Sequence, residues 1–209
     1  MMVITTMPVG RVDTNCYILY HNSKLDGILI DPGCEADRIL ARIRTQGFKI
    51  KGIFLTHGHF DHIAAADELA QELGVKIHCA SAEAELASDP MLNGSQLLLG
   101  RNIICTPHVL LEDAQVVNMG WLKVHAMLTP GHTAGHMCYY ILQSDTLFSG
   151  DLLFKGSYGR HDLPTSNFDD LKRSMARLFA LPPRTQVYPG HGEPTTIDRE
   201  KDYNPILRE

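Results

Sequence analysis

No block of like charge interrupts this chain, and no apolar run approaches the roughly 20 residues that a membrane-crossing helix needs. With a formal net charge of −5, the first absence argues against a nucleic-acid partner. The second argues against a membrane. Residues 1–17 (MMVITTMPVGRVDTNCY) carry no basic segment leading into a leucine-rich core, so no secretory signal is expected and the expected compartment is the cytoplasm. Cys-x-x-Cys spacing is missing as well. Cys16, Cys34, Cys79, Cys105 and Cys138 are odd in number and dispersed, the pattern of reduced, mostly buried thiols. The chain has no low-complexity tract and no repeat of roughly 20–50 residues, which excludes a solenoid. There remain 209 residues, 44% hydrophobic and 21% charged, enough to bury a real core in one domain spanning residues 1–209.

The opening third reads as β-rich. Val3 to Thr6, Cys16 to Tyr20 and Gly27 to Ile30 are short runs of β-branched and aromatic residues separated by turn signals. Residues 36–46 place Ile39, Leu40 and Ile43 on one stripe of a helix that Gly47 closes. A strand is expected at 52–55, one continuous helix from Asp61 to Gly74, and a strand from Val75 to Cys79. Residues 81–88 look helical, and the rest of 81–114 reads as loop with short helices. Strands are expected again at 115–117, 124–128, 137–142, 146–149 and 186–188, with an amphipathic helix at 169–180. Strands mixed with helices that must cover them imply layered sheets with helices outside.

Thr56 to His62 reads T-H-G-H-F-D-H, four metal-ligand side chains within six positions. At the end of a strand the chain is still extended, so His57 and His59 point to one side. Asp61 falls where a helix starts, and His62 enters its first turn. Imidazole and carboxylate donors suit Zn(II), Fe(II) or Mn(II), and no cysteine is present to favour a sulfur-bound site. Three later positions share this placement at a strand end followed by a glycine turn: His132, Asp151 and His191. Each alone has a bland reading as a turn or surface residue. Together the four segments offer five histidines and two aspartates, the number for two metals sharing a carboxylate.

The pattern His-x-His-x-Asp-His, then a lone histidine, a lone aspartate after Ser-Gly and a terminal Gly-His-Gly, resembles the metallo-β-lactamase superfamily over nearly the whole chain. The resemblance implies an α/β fold, a four-layer αβ/βα sandwich with the site at one edge. It implies that His57, His59 and His132 hold one metal, Asp61, His62 and His191 a second, and that Asp151 bridges them. The segment from Gly150 to Pro164 is similar to the glyoxalase II-like branch, which hydrolyses glutathione thioesters. The chain ends about eighteen residues after His191, without that branch's C-terminal helical domain.

On this reading two divalent ions, zinc foremost with iron or manganese as alternatives, hold a water about 3.5–4 Å-spaced metals can ionise near neutral pH. The partner would be a small-molecule thioester or acyl compound. Asp151 and Asp61 are the catalytic carboxylates, and Asp61 would become a general base if one metal were absent. Arg160, nine residues after Asp151, is the candidate for a substrate carboxylate, with a surface pair to Asp162 as its other reading. Tyr158 and Lys155 are further candidates on that loop. His136 is expected to pack near the site rather than bind metal, and His21, His78, His108, His125 and His161 carry no assignment. Two other activities stay open: a persulfide dioxygenase with one iron at the positions of His57, His132 and Asp151, and a lactonase.

Overall fold

The computed structural model describes residues 1–209. The first sheet contains β1 (Met2–Val9), β2 (Thr14–His21), β3 (Asp26–Ile30), β4 (Lys49–Phe54), β5 (Lys76–Ala80) and β6 (Val109–Leu111), in that spatial order. Its first three strands are antiparallel neighbours, and β3 to β6 pair in parallel. Parallel neighbours need crossovers. Helix α1 (Ala36–Gln46) joins β3 to β4, and α2 (Phe60–Ile63) with α3 (Ala66–Leu73) joins β4 to β5. Between β5 and β6 lie two short helices, α4 (Ala84–Ser88) and α5 (Ser95–Leu99).

The second half begins with β7 (Val116–Met119), β8 (Leu122–Leu128), β9 (Met137–Ile141) and β10 (Thr146–Gly150). A small hairpin of β11 (Leu153–Phe154) and β12 (Ser157–Tyr158) precedes α6 (Phe168–Phe179). The chain closes with β13 (Gln186–Pro189), β14 (Thr195–Thr196), α7 (Ile197–Tyr203) and a final helical turn. The second sheet has the order β14-β13-β10-β9-β8-β7, with β10 and β13 parallel.

Alternation along the strands assigns each sheet two buried faces. Tyr17, Leu19, Ile28, Ile30 and Phe54 point to a core shared with Val124, Tyr139 and Phe148 of the second sheet. Their neighbours Cys16, Ile18, Leu29 and Ile53 point the other way, onto Ile39, Ile43 and Leu69 of α1 and α3. On the far side, Tyr140, Leu147 and Val187 pack beneath Leu171, Met175 and Leu178 of α6 and Ile197 of α7. Three cores between four layers make the αβ/βα sandwich that the sequence implies.

The five cysteines are all free, four of them buried and Cys34 half-buried. No helix is long and apolar enough to cross a membrane. Some expectations need correction. The helix expected without interruption from Asp61 to Gly74 is broken at Ala64 and Ala65, where the Ala65 N–H leaves the helical ladder and donates to Pro32 O at 3.0 Å. The bend follows from crowding: a Cβ on Gly33 would stand 1.5 Å from Asp61 O, so the Asp31–Gly33 turn presses against α2. Segment 81–114, read mostly as loop, contains the edge strand β6, and β14 and α7 follow where no element was expected.

Candidate metal centre

Every strand that delivers a candidate ligand ends at the same edge of the sandwich. Strand β4 delivers His57 and His59, and α2, for which His59 is the N-cap, presents Asp61 and His62 from its single turn. Strand β8 leads to His132, β10 to Asp151 and β13 to His191. The structure therefore gathers all seven sequence-derived residues. Ligand atoms lie within 4.8 Å of one another in the triads His57–His59–His132 and Asp61–His62–His191, and also in His57–His62–Asp151.

Asp151 stands between the two main triads. Its Oδ1 is 3.4 Å from His62 Nε2, and its Oδ2 is 3.8 Å from His132 Nε2 and 3.6 Å from His191 Nε2. Asp61 Oδ2 lies 3.5 Å from His62 Nε2 and 3.3 Å from His191 Nε2, and accepts a hydrogen bond from Thr14 Oγ1 at 2.9 Å. His59 Nδ1 and His132 Nε2 approach to 3.0 Å. Gly190 makes this convergence possible, since a Cβ there would come within 2.0 Å of Asp151 Oδ1 and 2.8 Å of His62 Cε1.

The remote ring nitrogens are anchored by oxygen, which fixes tautomer and orientation. His132 Nδ1 pairs with Arg160 O at 2.9 Å and His191 Nδ1 with Val12 O at 3.0 Å. His62 Nδ1 pairs with Asp31 Oδ2 at 3.0 Å. His57 Nδ1 pairs with Thr56 Oγ1 at 3.1 Å, and that hydroxyl donates to Asp31 Oδ2 at 2.6 Å. Asp31 Oδ1 meanwhile accepts Thr56 N at 2.7 Å. One buried carboxylate thus orients a histidine from each half of the cluster.

The central atoms have charged neighbours but no hydrogen bonds. His57 Nε2, His62 Nε2 and Asp151 Oδ1 are buried and make no hydrogen bond. Buried polar atoms are normally satisfied, so three orphans aimed into one volume call for a cation. Burial, reinforced by the neighbouring histidines, pushes His57 well below its ordinary pKa, and burial takes His59 to about 3; both rings are neutral donors. Burial also lowers His62, but the carboxylates of Asp61, Asp151 and Asp31 outweigh it and lift this ring to about 10. Burial would raise Asp61, yet His62 and His191 hold it well below the usual carboxylate range. Divalent ions meet this donor chemistry: neutral imidazoles on one side, ionised carboxylates on the other.

The substrate candidates are engaged elsewhere. Arg160 donates to both carboxylate oxygens of Asp162, at 2.7 and 2.9 Å, and it serves the cluster only through its backbone oxygen. Lys155 pairs with Glu193, and Tyr158 lies against Phe168 and His161. His136 packs as expected: its Nε2 receives Asp151 N at 3.2 Å and its Nδ1 meets Thr129 Oγ1. Two supporting residues escape the sequence reading. Asp31 follows an apolar strand as the other cluster residues do, a signal that could have found it. Glu83 accepts Gly58 N at 2.9 Å and Gly135 N at 2.8 Å, tying the His57 and His132 turns together. Burial raises its carboxyl to about 7. Nothing in its local sequence marks it.

Two face-to-face sheets under helices, with five histidines and two aspartates gathered at one edge, define a metal-binding αβ/βα sandwich protein. The chain belongs to the metallo-β-lactamase superfamily, whose profile matches residues 9–191. It is 36% identical over 204 residues to the probable metallo-hydrolase YqgX of Bacillus subtilis, covering 96% of this chain and 95% of that one. It is 31% identical over 209 residues to the hydroxyacylglutathione hydrolase GloC of Haemophilus influenzae, covering 99% and 98%. Among solved structures, the BLEG-1 B3 metallo-beta-lactamase aligns with a TM-score of 0.94 at 36% identity over 99% of this chain and 100% of that chain. The di-iron-bound form of TTHA1623 aligns with a TM-score of 0.85 at 34% identity over 97% and 100%.

Proposed function

We propose that the protein is a metal-dependent hydrolase of thioesters such as hydroxyacylglutathione, with two divalent ions, zinc foremost, in one catalytic unit over residues 1–209. The observation that carries this reading is the set of buried atoms without a hydrogen bond, His57 Nε2, His62 Nε2 and Asp151 Oδ1, at the centre of the cluster. His57, His59 and His132 would hold the first ion and Asp61, His62 and His191 the second, with Asp151 shared. Bound there, the ions would lower the pKa of water and polarise the acyl carbonyl. The similarity to GloC supports the thioester class, and the di-iron form of TTHA1623 supports two ions, with iron or manganese as alternatives to zinc.

The chain's own residues set the geometry. Asp31 and Thr56 keep Nε2 of His57 and His62 turned inward, and Arg160 O and Val12 O do the same for His132 and His191. Asp61, steadied by Thr14, would serve as a ligand of the second ion beside His62 and His191, and its carboxylate would be free to take a proton from the attacking water only with one ion absent. In the hydrolysis, the water oxygen bonds to the carbonyl carbon, the C–S bond breaks, and the thiolate leaves with the electron pair. A thiolate needs little protonation, which suits a site without a strong general acid on the leaving side. The substrate is a small molecule in the cytoplasm.

The test is turnover of S-D-lactoylglutathione, a panel of acyl thioesters and a lactone by protein of measured metal content. Thioester hydrolysis is expected. No thioester turnover by a two-metal sample would refute the reading. One iron per chain with oxygen consumption on glutathione persulfide would replace it with the dioxygenase.

A further inference from the structure

Beside Asp61 lies a cavity of about 810 Å³ that the cluster itself does not use. Asp61 is the one residue of the cluster in its wall, beside Gly33, Phe60 and Ala64, so the cavity adjoins the edge of the site that Asp61, His62 and His191 form. Its other walls are mostly apolar: Val12 from the β1–β2 turn, Phe60 from α2, Leu98 and Leu99 from α5, and Ile103. Several of these side chains lie open to water, Leu98 at 67% and Val12 at 53% exposure. Grouped apolar exposure next to a reactive centre marks a binding surface rather than a folding requirement. A lactoyl group would fill only a small part of such a volume.

The same walls carry Arg11 and Arg101. Both are exposed. Neither takes part in any ion pair or side-chain hydrogen bond, whereas Glu35 on the same wall is already bound by Arg38 and Gly10 N. Two free guanidinium groups beside one apolar cavity, on a chain of net charge −5, supply a fixed positive end for a ligand. The candidates expected from the sequence, Arg160 and Lys155, are paired with Asp162 and Glu193 and line no part of this cavity.

We propose that this cavity binds one arm of the thioester, an extended arm with apolar carbon stretches that ends in an anionic group. The chain packs against Phe60, Leu98, Leu99 and Ile103, and the anion meets Arg11 and Arg101. The proposal rests on the thioester-hydrolase reading for its substrate, though the binding it asserts does not depend on turnover. The anion could sit on the acyl arm as a terminal carboxylate, or on the thiol arm as a carrier phosphate. The chemistry recognised is the same, and the experiment separates the two.

Calorimetric titration of the metal-loaded protein with octanesulfonate, a poor metal ligand, reads the cavity directly. Ethanesulfonate is expected to bind at least tenfold more weakly, because it lacks the chain. Octanesulfonate is expected to lose at least tenfold in affinity for the Arg11→Gln/Arg101→Gln double variant and for Leu98→Asp. All three substitutions are at exposed positions, and an unchanged melting temperature verifies folding. Absence of octanesulfonate binding, or equal binding by wild type and both variants, overturns the proposal whatever the hydrolysis assay gives. The arms are then told apart by kcat/KM. An anionic acyl arm makes suberoyl-glutathione a better substrate than octanoyl-glutathione, and an anionic carrier makes octanoyl-coenzyme A better. In either case the double arginine variant erases the advantage. Equal kcat/KM for all three in wild type overturns the proposal, while no turnover with intact octanesulfonate binding counts against the hydrolase reading alone.

Discussion

Replacing Asp31 by Asn should weaken metal binding without touching any of the seven clustered side chains. Asp31 accepts three hydrogen bonds: Thr56 N on Oδ1, and Thr56 Oγ1 and His62 Nδ1 on Oδ2. Its backbone is left-handed, at φ 48°, a conformation that Asn also tolerates, so the substitution adds no strain. An amide has one accepting oxygen. If that oxygen keeps Thr56 Oγ1 and His62 Nδ1, the NH2 group faces Thr56 N–H and leaves a buried donor unpaired. That costs about 1–3 kcal/mol, and the lost charge assistance on the other two bonds, about 1 kcal/mol each, adds about 2 kcal/mol. A total near 3–5 kcal/mol corresponds to a melting temperature lower by about 6–20 °C for a chain of this size. Metal affinity should fall by about 10–100-fold, because His57 and His62 lose their shared orientation. Chelator competition measures the affinity, and calorimetric melts with and without metal separate it from intrinsic stability. A folded Asp31→Asn protein that binds metal within about twofold of wild type would refute the reasoning.

Three other outcomes follow from the geometry. Burial lifts the Glu83 carboxyl from 4.5 to about 7 in the folded protein, so its contribution to stability is complete below pH 4.5 and declines as pH rises through about 7. The decline is roughly 3 kcal/mol; denaturant titrations across that range should show it in wild type, and Glu83→Gln should flatten it. Gly190→Ala would force a Cβ into Asp151 Oδ1 and His62 Cε1, and should lower the bound metal per chain while circular dichroism stays native. Leu171→Ala opens a cavity in the core under α6, behind the Gly131 turn; it should cost about 2–5 kcal/mol in denaturant unfolding. Metal content unchanged in the glycine variant, or a stability loss under about 1 kcal/mol in the leucine variant, would contradict these assignments.

Much of the molecule is legible along the chain because the strands are short, β-branched and separated by strong turn signals. Helix α1 falls where its apolar stripe and Gly47 place it, and the four ligand-bearing turns stand out because each follows an apolar strand. The break between α2 and α3 is not legible, since it depends on the Asp31–Gly33 turn pressing on Asp61 from a different part of the chain. Asp31 shares its strand-end position with the clustered residues. Its role appears only when β3 and β4 pair in parallel and set it against Thr56. Glu83 becomes visible only where two distant turns meet over it. Arg160 shows the two readings that the sequence left side by side: a basic residue in a suggestive loop, here paired with its neighbour Asp162. The segment around α5 has too little periodicity to be read locally, yet it forms a wall of the cavity beside Asp61.

The central claim is that the buried atoms of His57, His62 and Asp151 that make no hydrogen bond belong to a site for two divalent ions. Metal analysis of the purified protein, titrated with zinc after chelation, tests it most directly. The account predicts saturation at two ions per chain, falling to one for His191→Ala. Saturation at or below one ion per chain in the wild type would contradict it.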